Sequence, residues 1–123
     1  LHAGMSALRV TVVLPCYNAH RFLGQALDSV RRQTLAGVEI LVVDDGSTDP
    51  ETVACLDTLG PDVRVVRQEN RGLAGARNTG FREAGGEWVL PLDCDDLLTP
   101  TMLERCLAAA SASGPATGSD SAG

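Results

Sequence analysis

Lysine is absent from this chain; all ten basic residues are arginine. That removes Schiff-base chemistry and the phosphate-loop lysine from consideration. Aromatic residues make up only 3% of the sequence, so any core must be built from Val, Leu and Ala. The four cysteines, Cys16, Cys55, Cys94 and Cys106, form no C-x-x-C pair, which argues against a zinc or thioredoxin-like site. They read as buried free thiols in a reducing compartment. Cys94 lies among acids, which would raise its pKa, so it reads as a small spacer and not a nucleophile. No apolar run approaches the ~18 residues of a membrane span. The net charge of −6 leaves no basic face for nucleic acid and no polybasic membrane contact. Leu1-His2-Ala3-Gly4 ahead of Met5 reads as a non-native remnant within an N-terminal extension over 1–7, with no secretory signal after it. The expected location is cytoplasmic, or peripheral at the inner membrane face through regions outside these residues.

What is present is a hydrophobic fraction of 44% in 123 residues, enough for one domain with a modest core. Val10 to Leu14 reads as a buried strand ended by Pro15. His20 to Gln33 reads as a helix with Phe22, Leu23, Ala26, Leu27 and Val30 on its apolar face and Asn18 as a cap. Glu39 to Val43 is a second strand. Thr48-Asp49-Pro50-Glu51 starts a helix running to about Leu59, with Pro50 at its first position. Val63 to Val66, a helix from Leu73 to about Ala84, a strand from Trp88 to Leu92, and a helix from Thr99-Pro100 to about Ala110 complete the folded unit over 8–110. Residues 111–123, rich in Ser, Gly and Ala, read as a flexible tail.

This βαβαβαβα order with near-continuous apolar strands predicts an α/β fold, a doubly wound and mostly parallel sheet. Ligands of such sheets bind beyond the carboxyl ends of the strands. Three chemically loaded segments converge there: Pro15-Cys16-Tyr17-Asn18, Asp44-Asp45-Gly46-Ser47 and Asp93-Cys94-Asp95-Asp96. The last puts three carboxylates within four residues at a strand end. Like charges so close raise one another's pKa unless a cation neutralises them, and Mg²⁺ or Mn²⁺ prefer carboxylate oxygen. Such a cluster also serves as a capped loop. Asp44-Asp45-Gly46-Ser47 reads equally as a turn or as a contact to a nucleotide base or ribose. Tyr17, the only tyrosine, either packs on the sheet edge or stacks on a flat base. Arg71 and Arg77 are surface groups or partners of carboxylate or phosphate. A receiver-like or haloacid-dehalogenase-like phosphotransfer site needs the missing lysine.

Val12-Val13-Leu14-Pro15-Cys16-Tyr17-Asn18, Gln33-Thr34, Ile40 to Asp49, Asn70 to Asn78 and Leu92 to Asp96, in that order, resemble the inverting family 2 glycosyltransferases. The resemblance covers about Leu8 to Leu107. It implies a Rossmann-like GT-A nucleotide-binding half and a nucleoside-diphosphate sugar, a UDP-sugar as first choice, held through Mn²⁺ or Mg²⁺. It places Asp95 and Asp96 on the metal and Asp93 nearer the ribose or sugar. Pro15, Tyr17, Asn18, Asp44 and Asp45 belong with the nucleoside, and Arg77 lies near the base or phosphates. Family members continue with an acceptor-binding segment carrying the general base, an Asp or Glu, that deprotonates the acceptor hydroxyl. No such motif follows Leu107, so the chain reads as truncated at the C-terminus, its catalytic base unidentified, and inactive or weakly active alone. The acceptor, whether sugar, lipid or protein, is not specified. The alternative is a non-catalytic nucleotide-sugar-binding or edge-strand interaction module, which an exposed sheet edge would join as a homodimer.

Overall fold

The computed structural model describes residues 8–110; the expected extension over 1–7 and tail over 111–123 lie outside them. The strands are β1 (Val10–Cys16), β2 (Val38–Asp44), β3 (Val63–Arg67) and β4 (Trp88–Pro91). The helices are α1 (His20–Arg31), α2 (Pro50–Asp57) and α3 (Gly72–Glu83), and a further helical segment covers 102–110. Among the described residues no helix is long and apolar enough to cross a membrane.

All strand pairings are parallel and the order is β3-β2-β1-β4. Val12 therefore sits between Ile40 of β2 and Leu90 of β4. The chain steps from β1 to β2 to β3 in one direction, and then α3 carries it back to place β4 on the other side of β1. That reversal opens a crevice at the carboxyl ends of β1 and β4, where open α/β sheets bind ligands.

Side-chain alternation along each strand builds two cores. Val10, Val12, Leu14 and Cys16 of β1, with Ile40 and Val42 of β2, pack under Leu23, Ala26, Leu27 and Val30 of α1, Leu56 of α2 and Leu103 of 102–110. Val13, Leu41 and Val43 face the other way, onto Ala76 of α3. The sheet is thus wound on both faces, as the pattern predicts. Phe22 departs from expectation and is 50% exposed. The stripe that reaches the sheet starts at Leu23, and a neighbour one residue away points about 100° round the helix. Trp88 is also half-exposed, because β4 is a sheet edge and not the buried strand expected.

Strand β1 runs through Pro15 to Cys16 and does not end at the proline. Val13 O accepts from Leu92 N on the β4 side, so by the alternation of a strand Pro15 turns its missing N–H to that side too. β4 has ended by then, so no ladder bond is lost. The other boundaries differ by a residue or two: α2 stops at Asp57, and the last helix begins at 102, past Thr99-Pro100.

Helix α3 approaches the sheet closely because of Gly80. A Cβ there would lie 2.2 Å from Val13 Cγ1 and 2.9 Å from Cγ2, and Val13 is fully buried in the central strand. Gly80→Ala should destabilise the fold by about 1–3 kcal/mol through overpacking. In urea denaturation, Val13→Ala in the same molecule should recover part of that loss. Strictly additive effects would show that helix and strand do not meet there.

Candidate functional site at the carboxyl rim of the sheet

The rim is assembled from the loops after β1, β2, β3 and β4, and the loop after β2 organises it. Asp45 is 4% exposed. Its Oδ1 accepts from Gln68 Nε2 at 2.9 Å and from Arg71 N at 2.8 Å, and its Oδ2 accepts from Gly72 N at 2.9 Å. Three N–H donors thus surround one buried carboxylate, and two of them are orphan amides at the start of α3. Arg71, the residue before that helix, makes no side-chain cap of its own. Asp45 caps α3 from the loop after β2, where the helix dipole favours negative charge. Asn70 Nδ2 adds a bond to Asp45 O at 3.1 Å. The two loops come so close that a Cβ on Gly46, whose φ is +78°, would sit 2.8 Å from Asn70 N.

Asp44 is buried beside it and accepts from Ser47 N at 2.9 Å, which closes the turn. Asn18, φ 51°, does not cap α1, whose first residue is preceded by Ala19 without a side-chain bond. Its Oδ1 instead accepts from Thr48 N and Asp49 N, both at 2.9 Å, and its N donates to Ser47 Oγ at 3.0 Å. The loops after β1 and β2 are thereby tied together. Tyr17, next to Asn18, is 49% exposed and leaves its ring on the open side of the rim. Asp49 caps α2 through Glu51 N at 3.2 Å.

The loop after β4 carries the acidic cluster. Carboxylate oxygens of Asp93, Asp95 and Asp96 lie within 4.8 Å of one another, and Asp95 and Asp96 are exposed. Asp96 N donates to Asp93 O at 2.9 Å, closing a tight turn. Cys94 alternates inward, is buried, and donates from Sγ to Pro15 O at 3.0 Å. Asp93 accepts at Oδ1 from Arg77 Nη2 of α3 at 2.9 Å. Arg77 Nε is buried with no partner among the described residues. One guanidinium thus pairs with one of the three carboxylates, and the donor set is all oxygen and partly open, which suits a hard divalent cation.

The expected site residues fall on one rim, though in different states. Asp95 and Asp96 are open to solvent. Asp93 is paired, and Asp44 and Asp45 are committed to the backbone. Sequence reasoning missed Gln68, which bridges Asp45 to Thr79 of α3, accepting from Thr79 Oγ1 at 2.5 Å. Its place directly after β3 was the available signal. The cysteines are all free, but Cys106 is exposed and Cys55 only half-buried, against the expectation of burial for all.

Proximity to the Cys16 sulfur is the first cause pushing the Cys94 thiol up, followed by burial and by the charges of Asp93 and Asp95. Thiolate formation there is suppressed, so a thiol reagent at pH 8 should label Cys106 quickly and Cys94 only on unfolding. Prompt labelling of Cys94 in the native protein, read by peptide mass, would contradict this packing. Asp45→Asn keeps the shape but turns an amide NH₂ towards N–H donors. It should lower stability by about 1–3 kcal/mol, measured by denaturant midpoint, with loss confined to this residue's clamp and an unchanged m-value.

Comparison with known proteins agrees with this geometry. Residues 11–119 match the family model described as Glycosyl transferase family 2. Glycosyltransferase GlyA of Streptococcus pneumoniae serotype 4 is 40% identical over 98 residues, which are 78% of this chain and 14% of that protein. The crystal structure of S. aureus TarS 1-349 in complex with UDP superposes with a TM-score of 0.73 at 29% identity, over 82% of this chain and 31% of that one. Mannosyltransferase PcManGT from Pyrobaculum calidifontis, in complex with GDP-Man and Mn²⁺, gives a TM-score of 0.63 at 38% identity, over 72% of this chain and 28% of that one. The chain therefore spans less than a third of the length of each of these relatives. With the family model covering most of the chain and the rim motifs in order on the fold, the chain belongs to glycosyl transferase family 2.

Proposed function

We propose that residues 8–110 form the donor half of a glycosyltransferase, which binds a nucleoside-diphosphate sugar through a divalent cation for inverting transfer. The observation that carries this reading is the meeting of the Asp93, Asp95 and Asp96 carboxylates at the β4 end of a rim whose other side is Tyr17 and the loops after β1 and β2. The relatives support it: TarS has been crystallised with UDP and with UDP-GlcNAc, and PcManGT with GDP-Man and Mn²⁺. A UDP-sugar is the first choice of donor.

In this reading Asp95 and Asp96 hold the cation, Mn²⁺ or Mg²⁺, on their exposed oxygens. Such an ion supplies Lewis-acid stabilisation of the departing diphosphate. The chain's own groups do the rest. Arg77 holds Asp93 in place through a 2.9 Å bond to Oδ1, and its guanidinium brings the only positive charge paired with this turn among the described ion pairs. Tyr17 offers a flat face for the base. Asp44, Asp45 and Asn18 preorganise the nucleoside side by fixing its loops. A non-catalytic donor-binding module would bind the same ligand; transfer or hydrolysis of the sugar by the full-length protein separates the two.

Calorimetric titration with UDP and GDP, with and without Mn²⁺, tests the reading. UDP binding should require Mn²⁺, and Asp95→Ala should weaken it by a factor on the order of a hundred, corresponding to loss of a direct ligand, while the circular dichroism spectrum stays unchanged. Metal-independent binding, or binding unaltered by the substitution, would sink the metal assignment. Preference for GDP would overturn the choice of base alone.

A further inference from the structure

Gln33-Thr34 lies far from the rim in sequence and at the far end of α1, yet it grips the chain that leaves the acidic turn. Gln33 Nε2 donates to Thr99 O at 2.7 Å and to Ser29 O at 3.0 Å, and its Oε1 accepts from Leu103 N at 3.0 Å. Every polar atom of the amide is used, and the pattern of two carbonyls on one side and an N–H on the other fixes its orientation. Thr34 N donates to Pro100 O at 3.0 Å, and Thr34 Oγ1 donates to Glu104 Oε1 at 2.7 Å. Ser29, one turn earlier on α1, is buried; its Oγ donates to Ala26 O at 2.7 Å and accepts from Leu98 N at 3.1 Å.

These bonds define what is fixed around the carboxylates. Before the turn, Leu92 N is held by Val13 O at 2.8 Å, and Cys94 Sγ by Pro15 O at 3.0 Å. After it, Leu98 is held by Ser29, and Thr99 to Leu103 by Gln33 and Thr34. Between the last anchor on β1 and the first on α1 stand only Asp95, Asp96 and Leu97, all exposed. The entry anchor is part of the sheet. The exit anchor is Ser29 on α1 together with Gln33 and Thr34 just past its end, and Gln33 is its centre. Gln33 also supplies, from 70 residues away, an acceptor for an amide in the first turn of 102–110, which has few partners of its own there.

We propose that Gln33 is a positioning residue for the metal-binding turn: by clamping 99–103 to α1 it sets the geometry of Asp95 and Asp96 and so the affinity of this site for a divalent cation. The inference rests on the donor-site reading above but concerns a residue that touches neither donor nor cation. Outer partners that orient metal ligands typically change affinity by factors of ten or more when removed. A clamp acting one step further out should lie at the low end of that range.

Gln33→Met removes all three bonds at nearly constant length. Gln33→Glu keeps the acceptor for Leu103 N and sets an oxygen against the two carbonyls; it serves if the methionine variant does not fold. Mn²⁺ affinity is measured by titrating free Mn²⁺ by electron paramagnetic resonance at saturating UDP, with Asp95→Ala as reference. Amide exchange over 93–98 is measured by mass spectrometry on metal-free protein. The expected result is about a tenfold weaker Mn²⁺ affinity, faster exchange confined to 93–103, and UDP binding restored to the wild-type level by excess Mn²⁺, a rescue that Asp95→Ala does not show. A purely structural role would leave Mn²⁺ affinity unchanged in the folded fraction. Mn²⁺ affinity within twofold of wild type, or unchanged exchange over 93–98, overturns the proposal. If the wild-type protein itself binds no Mn²⁺ with UDP, the donor-site reading fails, whereas the exchange experiment still decides whether Gln33 holds the turn.

Discussion

The rim depends on one buried charge, the carboxylate of Asp45. A lone carboxylate in a protein interior is strongly disfavoured, and it is retained only where donors replace its water. Here Gln68, Arg71 N and Gly72 N do so, at 2.8 to 2.9 Å. The same bonds fix where α3 begins, and the start of a helix fixes the direction of every side chain after it. Arg77 therefore meets Asp93 because Asp45 holds Arg71 and Gly72. The β2 side and the acidic side of the rim are coupled through the body of α3, and the acidic turn is tied directly to the end of β1 by the Cys94 Sγ–Pro15 O bond.

Electrostatics divides the rim into two kinds of acid. Asp45 accepts three N–H groups and Asp44 one, so both are tied into the scaffold of the rim. Asp93 is half-satisfied by Arg77, and Asp95 and Asp96 meet no basic side chain among the described ion pairs. In a chain with net charge −6 and no lysine, little mobile positive charge is at hand to neutralise them. The unmet charge is concentrated in one exposed turn, and an all-oxygen donor set favours a hard divalent ion there. Sequence read one acidic cluster as a cation site and the other as a turn or nucleotide contact; burial shows the second to be part of the scaffold and leaves the first open.

Strand and helix order was legible because parallel strands buried on both faces read as apolar runs, and Asp49-Pro50 and Gly85-Gly86 punctuate them. The fold class followed from that order. What was not legible depends on distant partners. Asn18 looked like a cap for α1 because caps are recognised locally, yet its side chain serves Thr48 and Asp49 across 30 residues. Trp88 begins an apolar run that reads like the other strands, and only the strand order places β4 at the edge. Pro15 looked like a strand end because the side on which its missing N–H falls depends on where β4 stops. The acidic turn and its convergence with the Pro15 segment on one rim were visible, but the particular bonds from Arg77 to Asp93 and from Cys94 to Pro15 were not.

Two helices here are capped from outside their own segment, α3 by Asp45 and 102–110 by Gln33. Local capping stabilises a helix wherever it lies; a cap from another element also specifies where the helix sits in the fold. Each of these remote caps lies next to a segment of the rim, one leading to Arg77 and the other following the acidic turn. Between them Cys94 explains why the turn needs a small inward residue flanked by outward acids. Its thiol fits under Pro15 in the closed end of the sheet, its donor is used by a carbonyl, and Asp93 and Asp95 are forced to the opposite side. A larger residue at 94 would have to displace Pro15 or Cys16, both buried in the central strand, so the outward placement of the carboxylates is set from beneath.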